Sequence, residues 1–574
     1  MLKVNDRKQQ HLFDPWQFLS PKRRQILEDG WPGFFRKHIL ALLPVEKLAA
    51  LFPADRGRPT KEMYTILATL TLQQFHDLTD QQACDQLAFN IQWHYAMDLF
   101  QESDEAKYVC PKTLWTMRTL ATELGLENDL FDALSVHLAG LFKVDTRLQR
   151  QDSVHIRSNM ARLGRIGIFV KGIERFLANL KRHEPKLWGQ IDSELIQRYQ
   201  GEKARQCFAA VKPSESKRVL SDVAGDLYRL VEQFTAVPQV AEMRSYKLLC
   251  RIVKEQCEVH SDGTIEVKAP KQIPSDSLQN PSDPDAAYSG HKGQGYQVQV
   301  LETYSEHETD AKDPRQLNLI TYVEVEPASK SDAQALLPAI EATLEKDLAP
   351  EQVQADTLYG SDENCCEAEQ LGVELISPAP GSEKREAGNL SDFQFRADGH
   401  VDKCPAGHEP ALRKKKKGRY TQGFVPDRCE KCPLVGCCAA KKGARFFYLH
   451  YTEKNLRIAK RRQHEQSEEF RQKYRWRAGV EATMSQYDRL TGVKRLRVRG
   501  LKAVRFAAVM KAAALNIARA VAARQARNRA KGSNPDRYRG VFRLFKERMA
   551  GIFGSIATWL AGKLLAKEYA HSRA

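Results

Sequence analysis

Tyr474, Arg477 and Glu481 are separated by steps of three and four residues, the spacing that places side chains on one face of an α-helix. Five basic residues follow them closely: Lys494, Arg495, Arg497, Arg499 and Lys502. A carboxylate beside an arginine and ahead of many cations is typical of an acidic metal ligand held against a polyanion. A surface helix with an ion pair and a solvated basic segment gives the same pattern. The first interpretation therefore requires partner carboxylates elsewhere in the chain.

The positive charge of the chain is concentrated around these residues. Residues 471–550 contain 22 Lys and Arg against 4 Asp and Glu, a net charge of +18, whereas the whole chain carries +17. Such a local excess predicts a nucleic-acid surface rather than a generally basic protein. An anionic membrane is the competing partner. However, the longest apolar run near the C-terminus, residues 549–562, is too short and too rich in glycine to span a bilayer.

Length and composition indicate several soluble domains. A chain of 574 residues is too long for one ordinary core, so two to four domains are expected, and a hydrophobic fraction of 42% can supply their cores. The first residues, MLKVNDRKQQ, contain no apolar signal segment, which predicts a cytosolic protein. The 12 cysteines are then expected to be reduced thiols or metal ligands rather than disulfides.

Aspartates in two upstream regions are candidate partners of Glu481. Asp152 lies in RLQRQDSVHI, residues 147–156, where alternation of side chains predicts a short strand, and Asp145 in KVDTR is a rival of the same type. Asp356 lies in EQVQADTLYGSDENCCEAEQLGVELISP, which has the strand–helix–strand pattern of a parallel pair. Ligands cluster at the carboxyl ends of such strands, although an aspartate there can also cap a turn.

These motifs resemble those of DDE transposases from bacterial insertion sequences, whose signature is Tyr, two residues, Arg, three residues, Glu. The resemblance implies an α/β protein with an RNase H-like mixed sheet flanked by helices. It also implies that Asp152, Asp356 and Glu481 are the catalytic, metal-binding acids, and Asp152 matches the pattern better than Asp145. The family usually has Lys seven residues after the Glu, whereas this chain has Asp488 there.

The chemistry implied by this resemblance is metal-dependent. Three carboxylates would hold two Mg²⁺ or Mn²⁺ ions about 4 Å apart, one activating a water or a DNA 3′-hydroxyl and the other stabilising the leaving oxygen. The implied activity is strand cleavage and strand transfer at the terminal inverted repeats of an insertion sequence, by a nucleoid-associated homodimer. The alternatives are an RNase H-like nuclease or domesticated recombinase, and a non-enzymatic, zinc-containing DNA-binding protein.

The predicted DNA contacts begin at Tyr474 and Arg477 and continue through the basic residues from Lys494 to Lys502. If the RLRVR piece is extended, Arg495, Arg497 and Arg499 share one side of it. We expect these side chains to contact phosphates next to the scissile bond.

Cysteines between residues 404 and 438 suggest a second metal site. The spacing C-x24-C-x2-C-x4-C predicts a tetrahedral zinc site, formed by Cys404, Cys429, Cys432 and Cys437. Cys438 is an alternative to the last of these ligands, and His408 is a further alternative ligand. An insert with free thiols is the alternative to a zinc site.

The chain is predicted to divide into seven segments. They are an all-helical N-terminal domain that binds DNA ends (1–140), a first core strand (141–160), a helical insertion and linker (161–280), an RNase H-like core (281–379), a cysteine-rich insertion (380–450), a core helix with the catalytic Glu and the basic DNA-binding segment (451–530), and a basic tail (531–574). The motif RGRPTKEMYTILATLTLQQFHDLTDQQACDQL in the first segment resembles the N-terminal domain of the same transposases. A helical packing domain without DNA contacts is the alternative for that segment.

Overall fold

The computed structural model describes residues 1–5, 14–200, 211–307, 309, 313–381 and 388–531. The basic tail predicted after residue 531 lies outside these residues. The described chain has a mixed α/β architecture, in which helices surround one curled mixed sheet and a smaller antiparallel sheet stands apart.

Short helices form the N-terminal part of the chain. Their starts are defined by side-chain caps; for example, Thr79 and Gln82 form a capping box, and Glu62 accepts hydrogen bonds from the backbone N–H groups of Tyr64 and Thr65. The helices are α1 (Pro21–Asp29), α2 (Trp31–His38), α3 (Val45–Ala49), α4 (Met63–Phe75), α5 (Asp80–Phe89), α6 (Ile91–Met97), α7 (Asp104–Lys107), α8 (Pro111–Glu123) and α9 (Leu126–Phe142). Their apolar side chains share one continuous core with the mixed sheet.

A helical insertion follows the first strand, β1 (Leu148–Arg157), and has an apolar core of its own. It contains α10 (Arg165–His183), α11 (Pro185–Trp188), α12 (Ser193–Gln200), α13 (Ser216–Phe234), α14 (Pro238–Ala241), α15 (Arg244–Gln256) and the hairpin β2 (Cys257–Val259) and β3 (Ile265–Val267). Gly172 allows α10 and α15 to pack closely, since a Cβ there would lie 2.7 Å from Ile252 Cδ1.

The mixed sheet is completed by strands from residues 287–376. These strands are β4 (Ala287–Ser289), β5 (Gly293–Thr303), β6 (Ile320–Pro327), β7 (Gln352–Gln354) and β8 (Glu374–Ile376), with α16 (Leu336–Leu344) and α17 (Asp362–Gln370) between the later ones. The strand order is β4-β5-β1-β7-β8, and β6 also pairs with β5. Strand β5 runs antiparallel to β1, β4 and β6, whereas β1, β7 and β8 are parallel.

Both faces of the mixed sheet are covered. Val154, Val298 and Val300 belong to the core shared with the N-terminal helices and the C-terminal helices. On the other face, Leu301 and Val353 pack with apolar residues of α16 and α17. A central strand such as β5 is therefore almost entirely buried, as expected when helices lie on both sides of a sheet.

The cysteine-rich segment forms a small β-structure with its own core. It contains β9 (Gln394–Phe395), β10 (Val401–Lys403), β11 (Leu412–Lys416), β12 (Arg419–Phe424), α18 (Pro426–Glu430), β13 (Lys441–Lys442) and β14 (Phe447–Thr452). Strands β11-β12-β14-β13 make an antiparallel sheet, which we call the insertion sheet. The strongly basic run at 413–417 is thus one strand and turn of this sheet.

The C-terminal helices are α19 (Glu453–Glu465), α20 (Glu468–Tyr474), α21 (Gly479–Thr491) and α22 (Leu501–Lys531). The predicted helix through Tyr474, Arg477 and Glu481 is observed, but it is not a regular α-helix throughout, because a 3₁₀ turn, Arg475–Ala478, joins α20 to α21. The buried Arg150 side chain donates a hydrogen bond to the carbonyl of Trp476, at 2.8 Å. A side chain inserted into the backbone ladder distorts a helix at that point.

Helix α22 crosses the core of the protein. Among the described helices, only its stretch Leu501–Ala530 is long and apolar enough to cross a membrane, but 78% of the apolar window is buried within the protein. The apolar composition of this stretch is thus that of a core helix. Its first backbone N–H groups are fixed from a loop, where Asp283 accepts from Gly500 and Asp285 accepts from Leu501, each at 2.9 Å.

Candidate active site

Three acidic side chains come from separate parts of the fold. Asp152 is on β1, Asp356 follows β7 by two residues, and Glu481 is in the first turn of α21. Strands β1 and β7 are parallel neighbours, and their register pairs Arg150 with Gln354. Asp152 and Asp356 each lie two residues beyond that pair, so the sheet brings them side by side.

The guanidinium group of Arg477 lies among the three carboxylates. Its Nη2 atom is 2.9 Å from Asp152 Oδ2 and 3.9 Å from Asp356 Oδ2, and its Nη1 atom is 3.6 Å from Glu481 Oε1. The Nε atom of Arg477 is buried and has no hydrogen-bond partner in the described part of the chain. One cation thus joins acids that are separated by more than a hundred residues in sequence.

The carboxylates differ in exposure. Asp152 is 16% exposed, whereas Glu481 is 71% exposed and faces solvent. Burial raises the pKa of Asp152; the Arg477 charge and a hydrogen bond from the Ser153 N–H act in the opposite direction, and the nearby Asp356 raises it further. Positive charge near Asp152 therefore favours its ionised form, as expected for a carboxylate that binds a divalent cation.

A buried ionic network supports the turn that carries Arg477. The carboxylate of Glu302, which is fully buried, accepts hydrogen bonds from Arg150 Nε at 2.8 Å, Arg519 Nη1 at 3.1 Å and Thr483 Oγ1 at 2.7 Å. Arg150 also binds the turn through the Trp476 carbonyl, as described above. A Cβ at residue 479 would collide with the Arg150 guanidinium, so the glycine found there leaves room for this contact. Sequence reasoning missed this network, although charged residues within two central strands were a signal for it.

The turn after β7 is held equally closely. The Ser377 hydroxyl donates to the backbone carbonyl of Asp356 at 2.6 Å, and a Cβ at Gly360 would collide with that hydroxyl. On the opposite face of the sheet, the Tyr359 hydroxyl donates to Gln299 Oε1 at 2.6 Å, and Gln299 donates to Asp332 at 2.8 Å. The position of Asp356 is thus set by polar groups that sequence analysis did not identify.

Other acidic and polar candidates lie apart from this cluster. Asp145 precedes β1 and pairs with Arg147 at 2.7 Å, on the surface. The ring nitrogens of His155 are buried without a hydrogen-bond partner among the described residues, and alternation along β1 directs the ring away from Asp152. Asp488 accepts a hydrogen bond from the Lys494 N–H at 3.1 Å, which closes the loop after α21. This bond gives Asp488 a structural role.

Tyr474 lies at the edge of the acid cluster. Its ring stacks on Phe470, with centroids 5.3 Å apart and planes inclined by 18°. Burial raises the pKa of the Tyr474 hydroxyl, and the charge of Arg477 opposes this effect. The ring is therefore partly buried and packs against the protein's own side chains.

The basic segment is divided between protein contacts and free cations. Arg497 forms a two-atom ion pair with Asp77 of the N-terminal helices, at 2.9 and 3.0 Å, and Arg499 Nη1 lies 3.3 Å from the Met160 sulfur. Arg495 and Lys502 are exposed and form no ion pair with described residues. The three arginines therefore differ in their surroundings, because Asp77 engages Arg497 whereas Arg495 has no such partner among the described residues.

The arginines of α22 are also engaged within the protein. Arg519 is bound in the Glu302 network, Arg524 donates to the Glu28 carbonyl at 3.2 Å, and Arg527 donates to the Phe142 carbonyl at 3.2 Å. These side chains attach α22 to the sheet and to the N-terminal helices. The exposed end of the basic segment thus remains the better candidate for phosphate contacts.

The cysteines of the insertion lie close to one another. Cys404, Cys429, Cys432 and Cys438 line one small cavity together with His408. Cys437 is absent from that lining, and its thiol instead donates to the Leu434 carbonyl at 3.4 Å. Burial raises the pKa of Cys429 to about 11, and the neighbouring thiols add to this effect. Of the two alternatives for the fourth ligand, the geometry favours Cys438.

Neither the acid cluster nor the cysteine cluster has the geometry of a complete metal site. Within the ranges that the structure describes, no three Cys, His, Asp or Glu side chains form a ready ligand set for a metal ion. In the acid cluster, Arg477 lies where the carboxylates approach one another. The oxygen donors nevertheless suit Mg²⁺ and the thiols suit Zn²⁺. The described cysteines are all free of disulfides.

Comparison with known families adds two matches. Residues 403–521 match the family model described as Transposase DDE domain, and residues 25–120 match Transposase domain (DUF772). These matches support a DDE transposase. The DDE match includes the insertion sheet, Glu481 and most of α22. It begins after Asp152 and Asp356 and so includes neither of them. That family generally uses divalent metal ions. No curated protein matches the chain.

Proposed function

We propose that the protein is an RNase H-like DDE transposase that cleaves DNA strands at the ends of an insertion sequence and joins them to target DNA. The observation that carries the proposal is the convergence of Asp152, Asp356 and Glu481 on the Arg477 guanidinium. The strand order supports it, since an antiparallel group of strands is continued by the parallel β1, β7 and β8. Joining of two ends by a homodimer is part of this proposal.

Asp152, Asp356 and Glu481 would hold divalent cations, Mg²⁺ or Mn²⁺. Such ions activate a water or a 3′-hydroxyl and stabilise the leaving oxygen. The protein's own part is positional. Asp152 and Asp356 are held on a rigid sheet, and the exposed Glu481 marks the side from which DNA approaches. Arg477 is poised to exchange carboxylate contacts for contacts with a phosphate.

The DNA surface in this proposal is next to α21. Arg495, Lys502 and the side chain of Lys494 are exposed close to Glu481 in sequence and are available for phosphates. Tyr474, Arg477, Arg497 and Arg499 remain proposed DNA contacts as well, although each already has a protein neighbour. The N-terminal helices would recognise element ends.

Strand cleavage and transfer with purified protein test this function. The substrate is duplex DNA that contains the sequences flanking the gene, with Mg²⁺ present, and wild type is compared with Glu481→Gln. We expect cleaved and joined products from wild type only, with DNA binding retained by the variant. Cleavage without joining would instead indicate a nuclease. Sequence-specific binding without any cleavage would indicate a non-enzymatic DNA-binding protein.

A further inference from the structure

The insertion sheet has two different faces. Alternation along β12 and β14 directs Tyr420, Phe424, Leu449 and Tyr451 towards the core of the segment, where all four are buried. The side chains between them lie on the opposite side. On that side Arg419, His450 and Thr452 are exposed, and Thr421 and Tyr448 are half-buried, so this face of the sheet is largely open.

The strand registers define which residues share the open face. Lys414 pairs with Thr421, which pairs with His450; Lys416 pairs with Arg419; and Lys441 pairs with Tyr448. Paired residues lie on the same side of a sheet. The outer face therefore includes Lys414, Lys416, Arg419, Thr421, Lys441, Tyr448 and His450.

Aromatic rings form a row along this outer face. Phe446, Tyr448 and His450 alternate with buried residues of β14. Phe446 and Tyr448 meet edge to face with centroids 6.0 Å apart, whereas Tyr448 and His450 are nearly parallel at 5.8 Å. Glycines leave room for the rings, because a Cβ at Gly443 would lie 2.6 Å from Tyr448 Cδ2 and one at Gly423 would lie 3.0 Å from Phe446 Cγ. The backbone of the insertion sheet therefore accommodates this row of rings.

The cations on the two faces differ in their partners. On the core side, Arg413 pairs with Glu409, Lys415 with Glu453 and Lys442 with Glu430. On the outer face, four exposed cations form no ion pair with any described residue: Lys414, Lys416, Arg419 and Lys441. None of the residues named on that face is an acid. Unpaired cations beside open aromatic rings are typical of a surface for single-stranded nucleic acid.

We propose that the outer face of the insertion sheet binds a DNA strand with unpaired bases. Bases would stack on Tyr448 and His450, while Lys414, Lys416, Arg419 and Lys441 contact the phosphates. The choice of DNA as the nucleic acid rests on the proposed function. Such a strand would arise where the duplex at an element end is opened and its bases become unpaired.

Binding to labelled oligonucleotides tests this inference. The full chain is titrated into a single strand of about 20 nucleotides, which exceeds the site of one such surface, and into the duplex of the same sequence, without divalent metal. The double variant Tyr448→Ala/His450→Ala should weaken single-strand binding roughly tenfold or more, because each base loses its stacking partner. Duplex binding, which depends on other cations, should change by less than about twofold.

Adjacent lysines of β13 supply a matched control. Lys441→Gln should weaken single-strand binding, whereas Lys442→Gln removes the same charge from the opposite face and should not. This pair leaves the aromatic row intact, so it tests the face even where the double variant is poorly folded. Equal effects of the two lysine variants would overturn the proposal. So would unchanged single-strand binding in the folded double variant, an equal loss on duplex DNA, or tighter binding of the RNA strand of the same sequence.

The assay is separate from catalysis. Asp356→Asn should bind the single strand as wild type does, because the acid cluster is not part of the outer face. Absence of cleavage by the wild-type protein, with retained single-strand binding, would overturn only the proposed function. If the wild-type protein cleaves DNA but Lys441→Gln and Lys442→Gln bind the single strand equally well, only this inference would be overturned.

Discussion

The two large sheets of this protein differ in how many of their faces are covered. Helices bury both faces of the mixed sheet, whereas the insertion sheet buries one face and leaves the other open. In the mixed sheet, polar side chains on a strand must find partners inside the protein. In the insertion sheet, every second residue can carry a charge or a ring without such a partner.

This difference decides where function can arise. The three acids of the candidate site lie where a strand ends or a helix begins, as at Asp356 and Glu481, or where a strand residue lies under the 3₁₀ turn, as at Asp152. Other charged groups of the mixed sheet, such as Glu302 and Arg150, are structural. The insertion sheet instead offers a broad surface of weakly constrained cations.

Replacement of the acids should have the largest effect. Asp152→Asn and Asp356→Asn should each reduce cleavage to background, because an amide is a poor ligand for a divalent cation. Binding to end DNA should remain close to that of wild type. Asp145→Asn is the matched control, since that exposed aspartate pairs with Arg147. Near-normal cleavage by Asp152→Asn, with loss in Asp145→Asn, would move the first ligand to Asp145.

Metal analysis of cysteine variants should distinguish a zinc site in the insertion from a set of free thiols. We expect about one zinc per chain in protein purified without chelators, and loss of this zinc in Cys429→Ser. Cys437→Ser should retain it, because that thiol lies outside the shared cavity. Removal of zinc should lower the melting temperature, since metal binding contributes to folding. Metal analysis that finds no zinc in wild type would refute the site.

Breaking the ion network under the mixed sheet should destabilise the fold. Glu302→Gln would leave Arg150 and Arg519 without their common carboxylate, which costs about 3–5 kcal/mol in free energy of unfolding when the group is buried. Urea denaturation measures the change. Glu363→Gln, which breaks an exposed pair with Lys454, should leave the stability nearly unchanged. Similar stabilities of both variants would show that the covered face tolerates unpaired charge.

Glu127 of α9, on a covered face of the mixed sheet, provides a test of how burial changes the pKa of a carboxyl group. Burial raises the pKa of Glu127 from 4.5 to about 7, and its Oε2 atom has no hydrogen-bond partner among the described residues. A raised carboxyl pKa means that the unfolded chain releases the proton first, so wild-type stability should fall as pH rises from 4.5 to 7. Glu127→Gln should lack this fall and be more stable at pH 8 by up to about 3 kcal/mol. Denaturation curves at pH 5 and pH 8 measure the difference, and equal pH dependence in both proteins would contradict the shift.

The smallest effect concerns single cations near Glu481. Arg495→Gln should lower the slope of DNA affinity against salt concentration by about one, because a free arginine loses one phosphate contact. Arg497→Gln should change the slope less, since Asp77 already binds that side chain. Affinity measured over a range of salt concentrations compares the two. A larger change for Arg497 would mean that DNA displaces Asp77.

Local patterns in the sequence determined much of the fold, and the resemblance of its motifs to those of DDE transposases named the acids. The strand predicted at 147–156 is observed at Leu148–Arg157, and the strand–helix–strand pattern around Asp356 is observed as β7, α17 and β8. Such elements depend on the alternation or periodicity of nearby residues, which can be read directly. The spacing from Arg477 to Glu481 also held, as an ion pair across the start of α21.

Only the tertiary structure decided which charges are available. The helix tightens into a 3₁₀ turn at Arg477, where Arg150, more than three hundred residues earlier, binds the Trp476 carbonyl. Arg497 and Arg519 are engaged by Asp77 and Glu302, which no local pattern connects to them. Cys438 rather than Cys437 lines the thiol cavity for the same reason. A residue's type and spacing state what it is able to do, but its partners depend on contacts between segments that are distant in sequence, and these form only when the chain folds.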